Sequence, residues 1–214
     1  MQFKFFDLGT VDFPFAWEFQ KRVFLEVQQG RIHSSVILCQ HNPVITIGRV
    51  GKKKNILVEE EKLRRLKIKI YEIERGGDVT YHGPGQLCVY PIVNLSYFKK
   101  DINWFLRSIE ALLIDVLSDY GIDTQRRAGF TGIWIKKKKI ASIGIAIKNW
   151  ITFHGASLNI KRTDLSNFSL IRPCGLDIIM TSMESVLEKK VEVNNIKKTL
   201  IRRWDERSNF ARIG

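Results

Sequence analysis

Apolar residues recur along this chain with a period of two in some stretches and near 3.6 in others. Residues 3–8 form a short apolar run that predicts a strand. Residues 15–29 carry Phe15, Trp17, Phe19, Val23, Phe24 and Val27 in an imperfect helical stripe that stops at Gly30. Residues 35–39 and 44–47 are rich in strand formers and are separated by the break His41-Asn42-Pro43. Residues 58–66 read as a short charged helix, and residues 67–73 alternate lysine with isoleucine as a half-buried strand. Residues 87–95 set Cys88, Tyr90 and Ile92 on one strand face and Leu87, Val89 and Val93 on the other, with Pro91 suited to an edge or a bulge.

The strongest helical period follows Asp101, a good N-cap, and ends near Gly121. Its Phe105, Ile109, Leu112, Leu113, Val116 and Tyr120 share one face, which predicts a helix packed on a sheet. Residues 132–135, 139–147 and 150–160 read as consecutive strands. Thr181-Ser182-Met183-Glu184 has the spacing of a capping box opening a helix to about Lys189. Residues 194–206 predict a basic helix with Ile196, Leu200, Ile201 and Trp204 inward. No repeat, low-complexity tract or linker interrupts the pattern. The expectation is a single α/β domain over residues 1–214, with the helices after Thr181 as a candidate lobe on its flank.

Composition narrows this picture. The 214 residues are 44% hydrophobic and 11% aromatic, which argues against disorder. The N-terminus lacks a basic segment followed by an apolar core, and apolar runs are broken by charge far short of a bilayer span. A soluble, cytoplasmic chain without membrane association is expected. Thirty-five Lys+Arg against 22 Asp+Glu give a net charge of +13 and predict an acidic partner, nucleic acid or protein. The basic residues are scattered, without the aromatic interleaving of an RNA-binding sheet. Cys39, Cys88 and Cys174 are widely spaced with no C-x-x-C pair, which argues against disulfides and a cysteine zinc site; no metal or cofactor is expected. Cys39 and Cys88 fall inside strand patterns and read as buried.

The chemistry concentrates in two places. Residues 75–86, Arg-Gly-Gly-Asp-Val-Thr-Tyr-His-Gly-Pro-Gly-Gln, hold four glycines and a proline between two strands, more turn chemistry than a reversal needs. Glycine lets backbone approach a ligand closely, and Arg75, Thr80, Tyr81 and His82 add polar contacts, so the loop reads as one wall of a substrate site. Cys174 lies in Arg172-Pro173-Cys174-Gly175, outside any strand pattern, with a thiol approachable beside Gly175. A cysteine nucleophile acts as thiolate and needs a cation or base nearby. His82, His154 and the lysines of 136–139 are the candidates, and alternation does not say which lysine points inward. Arg49, before a glycine and three lysines, is either an anion contact or part of a solvated loop.

Arg75-Gly76-Gly77-x-x-Thr80-Tyr81-His82-Gly83-Pro84-Gly85-Gln86, Lys139-Ile140-Ala141-Ser142-Ile143-Gly144, His154-Gly155, Leu158-Asn159 and Pro173-Cys174-Gly175 together resemble the lipoyl(octanoyl) transferases. His41-Asn42-Pro43-Val44 and Ile47-Gly48-Arg49 are similar to that family too. The resemblance runs in order from about residue 41 to 182. It implies a mixed, largely antiparallel central sheet flanked by helices, of the biotin/lipoate protein ligase type. It implies transfer of an octanoyl group from acyl carrier protein to a lysine on lipoyl domains of 2-oxoacid dehydrogenase complexes and the glycine cleavage H protein. It assigns the thioester nucleophile to Cys174 and the pKa-lowering base to Lys139. Substrate contact falls to Arg75, Gly76, Gly77, Asp78, Val79, Thr80, Tyr81 and His82, to Ser142, Ile143 and Gly144, and to Gly155, Ala156 and Ser157. The family commonly has a bulky residue and then alanine after His-Gly, where this chain has Ala156-Ser157. Ala141, Gly144, Gly155 and Ala156 leave room for an eight-carbon tail, or equally allow tight sheet packing.

Two other readings compete. An ATP-dependent lipoate or biotin ligase of the same fold would cradle an adenylate and would not need the cysteine. A basic nucleic-acid-binding domain would explain the charge but neither the glycine loop nor Pro173-Cys174-Gly175.

Overall fold

A computed structural model describes residues 3–162, 165–173 and 178–210. In chain order the elements are β1 (Lys4–Val11), α1 (Phe13–Gln28), β2 (Ser34–His41), β3 (Val44–Ile47), α2 (Glu60–Arg65), β4 (Lys69–Glu72), β5 (Val79–His82), β6 (Gln86–Val93), α3 (Ile102–Ser118), β7 (Gln125–Arg127), β8 (Phe130–Ile135), β9 (Lys138–Lys148), β10 (Ile151–Asn159), α4 (Met183–Leu187) and α5 (Val193–Phe210). They build a seven-stranded sheet in the order β1-β2-β6-β10-β9-β8-β7 and a three-stranded sheet in the order β4-β3-β5. Among the named strands of the described residues, the β1–β2 and β3–β4 pairs are parallel and the rest antiparallel. This is the mixed, largely antiparallel α+β architecture expected. No helix among the described residues is long and apolar enough to cross a membrane.

The alternation read from the sequence sorts the large sheet's two faces. Val36 and Leu38 of β2 and Leu87, Val89 and Val93 of β6 enter one apolar cluster with Ile109, Leu113 and Val116 of α3 and Ile196, Leu200 and Trp204 of α5. Ile37, Cys39, Cys88, Tyr90 and Ile92 face the other way, onto Ala16, Val23 and Val27 of α1. Helix α5 therefore shares the core of α3 instead of forming a lobe of its own. Asp101 caps α3 as expected, accepting the Trp104 N–H at 2.9 Å. A third cluster joins Ile45, Val79 and Tyr81 of the small sheet to Leu63 of α2 and to Phe168 and Leu170.

The chain crosses between the sheets twice. Asn42-Pro43 separates β2 from β3, and Gly83-Pro84-Gly85 separates β5 from β6. Proline has no N–H to continue a ladder, so each crossing ends one sheet and starts the other.

Four expectations change. The glycine-rich stretch is not all loop: residues 79–82 form β5, paired antiparallel with β3. Pro91 does not lie on an edge, because β6 is flanked by β2 and β10. It is tolerated where regular β6–β10 pairing stops: the Thr152 hydroxyl donates to Pro91 O at 2.7 Å and accepts the Val93 N–H at 3.0 Å. Ser182, not Thr181, is the N-cap of α4, and its oxygen accepts the Ser185 N–H. Glu184 instead accepts the N–H groups of Val191 and Arg162, both at 3.1 Å. The short β7 was not anticipated, having three exposed polar residues and no apolar signal.

At Gly155 a Cβ would lie 2.0 Å from Val89 O and 2.7 Å from Pro91 Cδ. At Gly76 the nearest neighbour of a Cβ is Ile145 O at 3.5 Å. Gly155→Ala is therefore expected to cost about 2–3 kcal/mol by overpacking, seen as a lowered urea midpoint, while Gly76→Ala keeps a near wild-type midpoint.

Candidate active site

Both sheets contribute to a cavity of about 450 Å³, a size ordinary for a small-molecule site. Arg75, Gly76, Gly77, Asp78, Val79, Thr80 and His82 line one side. Ser142, Ile143, Gly144, Gly155, Ala156 and Ser157 line another, and Lys139 lines it too. The central β9–β10 hairpin brings the second group together by pairing Ser142 with Ser157, Ile143 with Ala156 and Gly144 with Gly155. Tyr81 alone of the expected contacts is not among the lining residues. Its fully buried ring packs edge-on against Phe168, and its hydroxyl accepts from Asn167 Nδ2 at 2.9 Å. Strand alternation in β5 puts it on the side opposite Thr80 and His82.

The loop before β5 is fastened on both flanks. The buried Arg75 guanidinium donates to Thr46 O at 2.7 Å and Thr46 Oγ1 at 2.9 Å, and to Gly76 O at 3.0 Å. Gly76 N–H reaches Ile145 O of β9 at 2.8 Å, and Arg75 O accepts Arg49 N–H at 2.9 Å. The Asp78 carboxylate accepts the Lys52 N–H at 3.1 Å and the Asn55 side-chain amide. Arg75 and Asp78 thus brace the wall as well as lining it. The glycines admit protein more than ligand: a Cβ at Gly144 would lie 2.8 Å from Gly76 O, and one at Gly48 2.3 Å from Gly77 O. Ala141 and Ala156 pack into the cluster under α3 and α5. Among these small residues, close packing explains what the sequence left open.

A bulge determines where Lys139 points. β8 pairs Ile133 with Ala141 but Trp134 with Lys139, so Ile140 is an extra residue in β9. Ile140 and Ala141 are both fully buried in the helix-side cluster. Unbroken alternation from Ala141 would send Lys139 the same way; the bulge turns it to the face of Ser142 and Gly144. The backbone of Lys139 also pairs with residues 179–181, through Lys139 N–H to Ile179 O at 2.8 Å and Thr181 N–H to Lys139 O at 2.9 Å. Cys174 lies outside the described residues. The residues bracketing it, Pro173 and Ile178, both line the cavity, and Arg172 N–H is held by Asn55 O at 2.8 Å.

The sequence left His154 open and did not single out its partner. His154, at φ +56°, is buried and lines the cavity. Its backbone N–H donates to Gln20 Oε1 at 2.8 Å, and its Nε2–H donates to Glu74 Oε2 at 3.2 Å. Burial holds this imidazole below its ordinary pKa, while the hydrogen bond from it takes the Glu74 carboxyl down to about 2. His41 and His82 stand at the two sheet crossings, ring centres 5.9 Å apart. His41 Nδ1–H donates to Val11 O at 3.0 Å, so its Nε2 accepts the Tyr90 O–H at 2.7 Å. Gln86 donates its amide N–H to Tyr81 O, so its oxygen accepts from His82 Nδ1–H at 3.2 Å. Burial lowers His41 to about 4 and His82 to about 3, so both are neutral at pH 7. Burial pushes the Cys88 thiol up to about 12 and raises Cys39 as well. Both cysteines are the buried residues the sequence predicted, and burial keeps their thiols protonated.

The model of the lipoyl protein ligase A/B catalytic domain family matches residues 12–205. The octanoyltransferase of Caldicellulosiruptor saccharolyticus is 45% identical over 192 residues, 88% of this chain and 81% of that protein. The chain belongs to the octanoyltransferase family. More distant solved structures share its fold. A bi-partite lipoate protein ligase from Thermoplasma acidophilum superposes with a TM-score of 0.73 at 16% identity, covering 96% of this chain and 83% of that one. Biotin protein ligase from Aquifex aeolicus reaches 0.59 at 12% identity, covering 95% and 69%.

The three buried histidines give the family member a definite acid response. Each binds a proton less readily folded than unfolded, where the ordinary value is 6.5. Between pH 6.5 and about 4 the unfolded chain takes up more protons, so stability present above pH 6.5 is lost as pH falls. The urea midpoint should drop steadily from pH 7 to pH 4; a flat midpoint would mean that the histidines are charged in the folded protein.

Proposed function

We propose that this chain transfers an octanoyl group from octanoyl-acyl carrier protein to one lysine of lipoyl domains, through a thioester on Cys174. This is the first step of endogenous protein lipoylation, carried out by one catalytic domain in the cytoplasm. The observation that carries the reading is the cavity into which the bulge turns Lys139, with Pro173 and Ile178 on its wall at either side of Cys174. Its other walls include Ile73, Phe13, Ile102, Leu106 and Phe168, apolar surface suited to an alkyl chain.

In the first half-reaction Lys139 takes the Cys174 proton, and the thiolate attacks the donor thioester carbonyl. The carbon–sulfur bond to the carrier breaks, the octanoyl–Cys174 bond forms, and the carrier leaves as a thiol with the proton that Lys139 held. In the second, the acceptor lysine's neutral amine attacks the acyl-enzyme while Lys139 takes its proton. An amide forms and the Cys174 thiol is restored. Thioester exchange is nearly balanced in energy and thioester-to-amide transfer runs downhill, so no ATP enters. Cys39 and Cys88 are poor alternative nucleophiles because burial keeps them protonated.

Lys52, Lys53 and Lys54 are exposed and lead into Asn55, whose carbonyl holds the segment entering Pro173. Lys136 and Lys137 on the turn before β9, and Lys138 at its start, are exposed. On a chain of charge +13 these groups would steer acidic carrier and lipoyl proteins toward one mouth. Replacing Lys52, Lys53 and Lys54 by glutamine should raise KM for the carrier several-fold at low salt and flatten its salt dependence, with kcat held within about twofold.

Incubation with octanoyl-acyl carrier protein, without ATP, should add one octanoyl mass to the intact chain, mapped to Cys174. Cys174→Ala should carry no adduct, and Lys139→Ala should slow its formation at pH 7 by about 10²-fold or more. Transfer that requires ATP and leaves Cys174 unmodified would place the chain with the ligases instead.

A further inference from the structure

His154 lies inside β10 with its backbone in the left-handed region, at φ +56°. The other non-glycine residues with positive φ among the described residues, Lys67, Lys136, Asn149, Trp150 and Glu188, stand in turns or at a helix end. Side chains alternate along a strand, so His154 should share the face of Ala156 and Leu158, which belong to the cluster under α3 and α5. The left-handed backbone turns it out of that cluster, and it lines the cavity instead. Such a conformation is costly and persists where neighbours enforce it. Here the His154 N–H is held by Gln20 Oε1 at 2.8 Å, and its Nε2–H by Glu74 Oε2 at 3.2 Å.

The ring has the cavity on one side and solvent close behind it on the other. His154 is 1% exposed, while the Glu74 side chain that it reaches is 49% exposed and is not among the described residues lining the cavity. One side chain therefore separates the cavity from a solvent-facing carboxylate. Phe13 and Tyr90, which also line the cavity, are backed by protein. Phe13 packs against Trp17, His41 and Tyr71, and Tyr90 donates its O–H to His41 Nε2 at 2.7 Å. Strand geometry sets the distances. His154 pairs with Ile145, six residues along β9 from Lys139, which is about 20 Å at the usual strand rise. A lysine stem of about 6 Å and an extended octanoyl group of about 9 Å take up most of that length. A dodecanoyl group, about 5 Å longer, runs into the ring. Burial holds the imidazole below its ordinary pKa, so it meets a terminal methyl group as a neutral ring.

We propose that the His154 ring is the end wall of the acyl pocket and sets the longest chain accepted. The inference rests on the acyl-transfer reading above and adds where the tail stops. His154 is then a specificity-determining residue, and Gln20 and Glu74 are positioning residues that hold its ring across the opening. A chain that fits short of the wall gains apolar contact with each methylene. One that overruns it must displace a buried ring fastened at two points, which close packing resists.

The test follows adduct formation on the full-length protein by intact mass, using acyl carrier protein loaded with hexanoyl, octanoyl, decanoyl or dodecanoyl groups. The wild type should form the octanoyl adduct about tenfold or more faster than the dodecanoyl one, the discrimination that overpacking imposes. His154→Gly removes the ring and suits a positive φ, and should erase most of that difference. His154→Asn, shorter than histidine and tolerant of the same backbone, should fall between. The hexanoyl-to-octanoyl ratio should not change in either variant, because those tails stop short of the wall. Thermal melting checks that each variant is folded. A wild type that takes dodecanoyl as readily as octanoyl groups overturns the proposal before any variant is made. A folded variant with the wild-type ratio overturns it too, as does a shift in both ratios, which marks general loosening. If the wild type forms no adduct with any chain, the acyl-transfer reading itself fails. If octanoyl transfer stands and only the length preference ignores His154, the end wall alone falls.

Discussion

The hydrogen-bonded stitch of residues 75–78 holds the two sheets to each other, and the site exists because of it. Arg75 spends its guanidinium on the carbonyl and hydroxyl of Thr46, in the small sheet. The next residue gives its N–H to Ile145 in the large one. A buried cation is tolerable only if the geometry of its acceptors is kept, because losing one leaves desolvated charge less well satisfied. The backbone must come very close for this to work, and glycines at 48, 77 and 144 remove the side chains that would keep the strands apart. The cavity is the space enclosed by that fastening.

The sheet crossings supply a second constraint. His41 and His82 sit at the two points where the chain leaves one sheet for the other, and both are desolvated and neutral. Each has its donor nitrogen committed, His41 to Val11 and His82 to Gln86, while Tyr90 gives its hydroxyl proton to His41. A layer of this kind is stable when every donor has an acceptor, and it then permits one arrangement only. It lies behind the cavity wall formed by His82 and Tyr90. This wall of the cavity is therefore held in one arrangement.

Labour in the site is divided between rigid sheet and added segments. The strands supply walls and the proposed base, while the segments flanking the proposed nucleophile are held at Arg172 by Asn55 and at residues 179–181 by the backbone of Lys139. Gly76, Gly77, Gly144 and Gly155 line the cavity and also sit where backbone packs closely, and the polar residues Arg75 and Asp78 brace the wall they line.

Much of this was legible in residue order. Alternation in residues 87–93 correctly divided the two core faces, Asp101 announced its helix, and the ordered motifs from His41 to Pro173-Cys174-Gly175 named the family. These features are local: a period, a cap or a motif is carried by neighbours in sequence. What the sequence could not carry depends on partners far away. Pro91 is central because Thr152, in another strand, takes over its ladder bonds. Residues 79–82 became a strand because β3 offered them a partner. Tyr81 turned from the cavity because of that pairing. Which of the lysines at 136–139 faces inward was undecidable from alternation, since one extra residue at Ile140 reverses it, and a bulge is defined only by the strand opposite. The sequence by itself determined the family, the strand faces and the residue types of the site. The tertiary structure decided their direction, because a side chain's face depends on pairing register, and register belongs to two strands at once.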